Sequence, residues 1–161
     1  MNRQTLYVVN LILVMLVTGV FWGTWFTLTR SLETFPPDNF IRIGKTIINN
    51  VSLPMRILMP VTLLAQLWLY LVTKKDRPSF YLFIVSLFLM VITLLITVGV
   101  EVPIDNQIKT WSAETLPDNW LTLREKWNRF HTFRTITSIL SFVSLAIGVV
   151  SSSSRNKFTE A

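Results

Sequence analysis

Long apolar runs separated by polar stretches divide the chain into four predicted membrane spans. The runs cover residues 6–28, 54–73, 80–100 and 133–150. Each is close to the roughly 20 apolar residues that a helix needs to cross the hydrocarbon core of a bilayer. The pattern therefore predicts an all-α protein in which residues 1–161 form one membrane domain, a four-helix bundle.

Two long connectors, residues 29–53 and 101–132, are predicted to lie together on the outer side of the membrane. In the first, apolar residues recur at helical spacing and polar residues face away; the apolar positions are Phe40, Ile43, Ile47 and Val51, and the polar ones are Arg42, Lys45 and Asn49. This spacing predicts a short amphipathic helix capped by Asp38. Such a helix lies on the bilayer, closes over the bundle as a lid, or packs on the protein.

The second connector begins with the sequence Glu-Val-Pro-Ile-Asp-Asn over residues 101–106. Proline lacks a backbone N–H and disturbs a helix, so Pro103 is predicted to break or kink the third helix at the membrane boundary. A second short amphipathic helix is predicted from Trp120, and it leads directly into the last span. Short amphipathic helices in both outer connectors then complete the fold.

Composition agrees with a membrane protein. Hydrophobic residues make up 51% of the chain and the mean hydropathy is +0.50. Together with the length of the apolar runs, these values are too apolar for an ordinary soluble domain. The absence of cysteine excludes disulfides, thiolate metal sites and cysteine nucleophiles. The net charge of +6 does not indicate a nucleic-acid partner, because the basic residues form short clusters next to the spans rather than one basic face.

The position of the basic residues predicts the orientation. Six basic residues lie near the two ends of the chain or in the short connector between spans two and three: Arg3, Lys74, Lys75, Arg77, Arg155 and Lys157. Short cytoplasmic segments are enriched in lysine and arginine. Both termini are therefore predicted to be cytoplasmic, in a plasma or inner membrane.

Two features inside the spans predict contacts between helices. Gly19 and Gly23 form a GxxxG pattern that lets a helix approach closely, either within the bundle or from a partner in a homo-oligomer. Gln66 lies in the middle of the second span, where an uncharged amide is expected to make a hydrogen bond to a neighbouring helix.

The most informative polar pattern lies just before the last span. Five residues, Trp120, Arg124, Trp127, His131 and Arg134, recur at helical spacing and project from one side of the predicted helix. Ionisable groups beside a membrane span are costly unless they face protein or a cavity. We therefore predict a pocket on the outer face that these side chains share with Glu101 and Asp105.

The same residues carry a family resemblance. The stretch 100–106, followed by Trp111, Leu116-Pro117, Trp120, Arg124, Trp127, His131 and Arg134, resembles the signature of the anthrone oxygenase-like family of small four-span membrane proteins, a family largely of unknown function. The resemblance covers most of the chain, and its specific part runs from Glu101 to Arg134. In the family pattern an asparagine commonly stands where this chain has Glu101, and another where it has Asp105.

The resemblance implies an oxidoreductase that works without a cofactor. Fungal members are associated with oxidation of anthrones to anthraquinones, in which molecular oxygen attacks an electron-rich carbanion and no flavin, haem or metal is evident. Such a reaction needs a base, groups that stabilise an oxyanion and an apolar pocket. We assign these catalytic roles to His131 as base and to Arg124 and Arg134 as oxyanion partners. The residues expected to bind the lipophilic substrate are Trp111, Trp120, Trp127, Glu101, Asp105 and Asn106.

Alternatives stay open at this point. The arginines can instead pair with Glu101, Asp105 or Glu33 to hold the connectors on the bundle, with the tryptophans forming an interfacial belt. His131 with Glu101 and Asp105 can form a metal site, but no paired-histidine spacing supports one, so no metal is predicted. At the level of function, the alternatives to an oxidoreductase are a binding module and a non-catalytic structural or interaction subunit of a membrane assembly.

Overall fold

The computed structural model of the protein describes residues 2–73 and 78–159, and the regular elements in both ranges are helical. The α-helices are α1 (Arg3–Thr27), α2 (Pro37–Val72), α3 (Pro78–Ile96), α4 (Val102–Ile108) and α5 (Trp120–Thr159). Four helical stretches, Arg3–Thr34, Pro37–Val72, Ser79–Ile108 and Trp120–Ser152, are long and apolar enough to cross a membrane. The predicted all-α fold of an integral membrane protein with four spanning helices is confirmed.

Part of the basis for the predicted orientation lies outside the described residues. Lys74, Lys75 and Arg77 belong to the undescribed connector, and the side chains of Arg155 and Lys157 are likewise not described. Helix length and apolar composition do not distinguish the two faces of a bilayer, whereas flanking charge does. The cytoplasmic location of the termini therefore stays a prediction.

Helix α2 joins the amphipathic stretch and the second span into one helix of 36 residues. At about 1.5 Å per residue it is roughly 54 Å long, far more than the roughly 30 Å of a hydrocarbon core, so part of it extends beyond the membrane. Asp38 lies in its first turn and is not the N-cap that the sequence predicted, because the helix begins at Pro37 with Pro36 as its cap. Pro54 and Pro60 lie inside this helix without ending it.

The amphipathic stretch of α2 packs on the protein. Its side chains Phe40, Ile41 and Ile48 are buried together with residues of α4 and α5, and Gly44 approaches Ile108 so closely that an added Cβ would lie 3.3 Å from the Ile108 side chain. We call this group the outer cluster; its buried members are Leu32, Phe40, Ile41, Ile48, Ile104, Ile108, Trp111 and Trp127. The start of α2 is thereby held over one end of the bundle.

Of the two predicted effects of Pro103, a break or a kink, the break does not occur: the helix continues through a local distortion just before the proline. A π-helical turn at Thr97–Glu101 links α3 directly to α4, and the Val102 amide donates to the Thr97 carbonyl five residues earlier. Pro103 then lies in the first turn of α4, where a missing N–H costs little. The wider turn relieves the clash that a proline ring would make in a regular α-helix, and Glu101 is its last residue.

Polar side chains connect the spans in the middle of the bundle. The Gln66 amide donates to the Ser86 hydroxyl at 2.8 Å, and Ser86 donates to the Ser141 carbonyl at 2.9 Å. The hydroxyls of Thr93 and Thr137 lie 2.8 Å apart. The predicted interhelical hydrogen bond of Gln66 is confirmed, and it belongs to a chain that links α2, α3 and α5.

The closest glycine-mediated contact between spans is at Gly148 and not at the GxxxG pattern. A Cβ added to Gly148 of α5 would lie 2.7 Å from the Phe83 ring of α3. A Cβ added to Gly19 or Gly23 would meet no described atom within 4 Å. The GxxxG face of α1 is therefore not used for close packing among the described helices.

This difference predicts opposite responses to the same substitution. Gly148→Ala forces Phe83 to move, and overpacking of this kind typically costs about 1–3 kcal/mol of unfolding free energy. Gly19→Ala is the matched control, since it adds the same methyl group to a helix where the space is open. Unfolding of both variants in detergent micelles, followed by tryptophan fluorescence, should show a loss of stability only for Gly148→Ala. Equal stabilities would contradict the α3–α5 packing described here.

Candidate functional site

A cavity of about 270 Å³ lies at the end of the bundle next to the outer cluster. Its apolar wall comes from α1, α2 and α3, with Phe21, Val51, Met55, Met59 and Leu94 among the lining residues. Its polar wall is formed by Arg56, Asp105, Asn106, Lys109, Trp127, His131 and Arg134. The cavity thus combines an apolar interior with a concentrated set of ionisable groups.

The centre of the polar wall is a buried contact among Arg134, Glu101 and His131. An Nη2 atom of Arg134 lies 2.8 Å from Glu101 Oε2, and Glu101 is completely buried. The same guanidinium group donates through Nε to His131 Nδ1 at 3.0 Å, and its Nη2 lies 2.6 Å from that nitrogen. The π-turn supplies Glu101 and α5 supplies the other two, so this contact joins the third and fourth spans.

Aromatic rings hold His131 and Arg134 in place. The Trp127 ring stacks on the His131 imidazole with 5.1 Å between centroids and 1° between planes, and Phe21 meets the imidazole edge-on at 6.4 Å. The Arg134 guanidinium lies 4.6 Å from the centre of the Phe21 ring. Cations are attracted to the faces of aromatic rings, and this attraction grows when water is excluded.

The protonation of the imidazole follows from its neighbour. Arginine has only donors, so Nδ1 of His131 must accept and the neutral ring carries its hydrogen on Nε2. Nε2 is buried and has no partner in hydrogen-bonding geometry among the described residues, although the Phe21 backbone carbonyl interacts with the ring. His131, which lines the cavity, therefore carries its one N–H donor on Nε2, the ring nitrogen that does not contact Arg134.

Asp105 is the carboxylate that lines the cavity. The indole Nε1 of Trp127 donates to its Oδ1 at 3.0 Å. No described residue donates to Oδ2, and the cations that act on this carboxylate electrostatically are Arg134 and Lys109. One oxygen of Asp105 is thus held in place while the other is available to a ligand.

The remaining predicted site residues lie in other places. Arg124 is seven residues before His131, or roughly 10 Å along the helix, and it donates to the backbone carbonyls of Leu32 and Phe35 at 3.3 and 3.5 Å. It also lies over the Trp120 ring. Trp111 and Trp120 both pack against Phe40 near the outer cluster and are not among the residues lining the cavity.

The structure therefore brings together five of the predicted site residues around the cavity: Asp105, Asn106, Trp127, His131 and Arg134. Glu101 lies directly behind Arg134. Of the carboxylates that the sequence offered as partners, Arg134 pairs with Glu101. Its guanidinium group lies between that carboxylate and the imidazole of His131. A metal ion shared by Glu101 and His131 would have to displace it. Among the residues that the structure describes, no three potential metal-ligating side chains cluster.

The lining residues that were not predicted from the sequence include one aromatic side chain and two cations. Phe21 comes from α1, Arg56 from α2 and Lys109 follows α4. Lys109 lies four residues after Asp105 and so on the same helical side, which is a usable signal. Arg56 is a charged residue inside the predicted second span, where ionisable groups usually face a protein interior or cavity. Phe21 carries no such signal, because its place depends on how α1 packs on α5.

The buried ion pair predicts a specific stability pattern. Arg134→Met leaves Glu101 as an unpaired buried carboxylate, which typically costs about 3–5 kcal/mol of unfolding free energy. Adding Glu101→Gln should recover part of the loss, because no unpaired charge then remains. Arg129→Met, at an exposed position of the same helix, is the control and should change little. Denaturant unfolding of the purified wild-type protein and the three variants measures these stabilities. A double variant no more stable than Arg134→Met would argue against the ion pair.

Comparison with known proteins places these residues in a family. The sequence profile of the anthrone oxygenase family matches residues 47–144, more than half of the chain. The matched range includes Glu101, Asp105, His131 and Arg134, the charged and imidazole groups of the cavity wall. No curated protein and no solved structure matches the chain. The chain belongs to the anthrone oxygenase family, as its resemblance from Glu101 to Arg134 predicted.

Proposed function

We propose that this protein is a membrane oxidoreductase that binds a lipophilic aromatic molecule, of the anthrone or a related quinone-forming type, in the cavity and oxidises it with molecular oxygen without a cofactor. The observation that carries the proposal is the juxtaposition of an available carboxylate, Asp105, with donors on His131 and Arg134 in one apolar cavity. Membership of the anthrone oxygenase family supports the same chemistry.

The reaction requires little from the protein beyond a base and an oxyanion site. Removing a proton from the central carbon of an anthrone gives an enolate rich in electrons. Oxygen adds to that carbon to form a hydroperoxide, which loses water to give the second carbonyl of the quinone. One anthrone and one O₂ therefore give one anthraquinone and one water, and the oxygen molecule is the oxidant.

Asp105 is the group that we assign as the base. Asp105 lines the cavity, Trp127 fixes its Oδ1, and no described residue donates to its Oδ2. A base must be held within hydrogen-bonding reach of the proton that it removes. The sequence-based hypothesis gave this role to His131. The Arg134 contact at Nδ1 argues for a different division of roles, since the neutral imidazole then has a hydrogen on Nε2 and acts as a donor.

His131 and Arg134 are assigned to the enolate oxygen. Donors that are already oriented in a site without water stabilise a developing oxyanion strongly, because no reorganisation is needed during the reaction. The stacking of Trp127 on His131 and the contact of Arg134 with Glu101 hold both donors in position. Arg124, which binds carbonyls of the connector between α1 and α2, has a structural role in this proposal.

The alternative, a non-catalytic subunit of a membrane assembly, rests on the open face around Gly19 and Gly23. An added Cβ at either glycine meets no described atom within 4 Å, so a helix of a partner or of a second copy has room to approach there. This face is compatible with an enzyme as well. The interaction therefore stays a prediction, and it does not compete with chemistry at the cavity.

Asp105→Asn tests the proposed base. The amide keeps the shape and the contact region of Asp105 but does not remove a proton, and a general base contributes roughly 10²–10⁴-fold to a rate. Protein in phosphatidylcholine nanodiscs is given anthrone and oxygen, and anthraquinone absorbance and oxygen uptake are measured. Wild-type protein should exceed the protein-free rate, and Asp105→Asn should lose most of that excess.

The control is Asp38→Asn, the same change at an exposed position in the first turn of α2 that does not line the cavity. It should behave like the wild type. If the wild-type protein gives no acceleration above the protein-free rate, the proposed oxidation is refuted. If Asp105→Asn oxidises anthrone at the wild-type rate, Asp105 is not the base.

We also propose that the protein resides in a plasma or inner membrane with both termini cytoplasmic, on the strength of the basic residues near the termini and between spans two and three. Because the chain has no cysteine, a single introduced cysteine gives an unambiguous label. Ala113→Cys, in the loop before α5, should react with a membrane-impermeant maleimide added to intact cells. Lys75→Cys should react only after the cells are opened. The reverse labelling pattern would invert the topology.

A further inference from the structure

We propose that the ligand of this cavity is an aromatic acid, whose anionic group is bound by Arg56 and Lys109 at the mouth while its apolar ring system lies inside. This inference rests on the proposed function, because it names the substrate class for the same cavity. It concerns two side chains that the proposed chemistry does not use.

The two cations line the cavity from different helical segments. Arg56 is contributed by α2, and Lys109 immediately follows the last residue of α4; both line the cavity. Arg56 is exposed, and no acidic residue among those described pairs with it. The carboxylate near Lys109 is Asp105, which the indole of Trp127 already binds. A ligand anion at the mouth would therefore meet a guanidinium group that has no other ion partner.

The balance of charge at the cavity leads to the same conclusion. Arg56, Lys109 and Arg134 are cationic, and the carboxylates are Glu101 and Asp105. Glu101 is committed to Arg134, and the imidazole is neutral for the reason given above. One positive charge is left over before the reaction, and proton transfer to Asp105 does not change that total, because the substrate then carries the negative charge of the enolate. An anionic group on the ligand compensates this excess, whereas a neutral ligand leaves it uncompensated.

The rest of the mouth indicates that the body of the ligand is apolar. Pro60 of α2 is exposed, and Val98 of the π-turn and Val102 of α4 are 58% and 38% exposed, yet all three also line the cavity. The opening thus lies between α2 and the α3–α4 helix, within segments apolar enough to span the membrane. An amphipathic molecule can reach it from the bilayer, with its apolar part against the valines and its acid toward Arg56 and Lys109.

The anionic group could belong to a small aromatic acid or to the headgroup of a membrane lipid, and the size of the cavity distinguishes the two. Small-molecule sites commonly measure roughly 300–1,000 Å³, and this cavity, at about 270 Å³, is slightly smaller. That volume suits a compact fused-ring acid and not a phospholipid with two acyl chains. The structure therefore favours a small aromatic acid over the anionic headgroup of a membrane lipid.

The test compares two ligands of the same shape, anthraquinone-2-carboxylate and its neutral isostere anthraquinone-2-carboxamide. Both are product analogues that need no turnover, and quenching of tryptophan fluorescence follows their binding to protein in phosphatidylcholine nanodiscs. Wild-type protein should prefer the carboxylate by roughly tenfold, about 1.4 kcal/mol. Arg56→Gln and Lys109→Gln should each reduce that preference and leave carboxamide binding unchanged.

Matched controls are Arg42→Gln, an exposed arginine of α2 that contacts Asn39, and Lys126→Gln, an exposed lysine of α5. Both should keep the preference. Equal binding of the two ligands to wild-type protein, or a preference that survives in both mouth variants, would overturn the inference. So would loss of the carboxylate preference when phosphatidylglycerol replaces part of the phosphatidylcholine, because lipid headgroups would then be the anions that these cations bind.

The outcomes separate this inference from the proposed function. Oxidation of anthrone without any preference for the carboxylate refutes the aromatic-acid inference alone. A clear carboxylate preference without anthrone oxidation supports the ligand class and refutes the proposed oxidation. Absence of binding by both analogues, together with absence of anthrone oxidation, refutes both.

Discussion

The contact of Arg134 with Glu101 is the interaction on which the site depends most. Moving a carboxylate and a guanidinium group out of water is expensive, and it is tolerated only where the two charges meet at close range with further hydrogen bonds. Here the guanidinium group forms an ion pair with the carboxylate at 2.8 Å and donates to the imidazole of His131, and Phe21 covers its face. Because its members come from the π-turn and α5, the pair also sets how the third and fourth spans meet.

Two departures from regular helix structure make this arrangement possible. The π-turn before α4 accommodates Pro103 and ends at Glu101, so that the carboxylate lies on the buried side while Asp105, one turn later, reaches the cavity. The length of α2 carries Phe40, Ile41 and Ile48 beyond the span and over the bundle end, where they bury Trp111 and Trp127 with α4. Trp127 is then able to contact both His131 and Asp105. The cavity wall is therefore supported from outside the membrane-spanning part of the fold.

The sequence predicted the parts of this architecture that follow from local periodicity. Apolar runs indicated the four spans, and the helical spacing of Trp127, His131 and Arg134 placed them on one side of α5, since neighbours within one helix need no knowledge of packing. The sequence did not predict the π-turn, because a hydrophobicity pattern does not show whether a backbone amide binds the carbonyl four or five residues earlier. Nor did it predict that Arg124 binds the carbonyls of Leu32 and Phe35, or that Phe21 covers Arg134, since both contacts join segments about 90 or more residues apart in the chain.

The two prolines of α2 have a mechanical consequence. Each lacks an amide hydrogen, so the helix is missing backbone hydrogen bonds at Pro54 and Pro60, the points where a helix bends at least cost. These points flank Met55, Arg56 and Met59, which form one wall of the cavity. The helix is therefore least resistant to bending beside the gap that faces α3 and α4, whereas its first turns are held by the outer cluster.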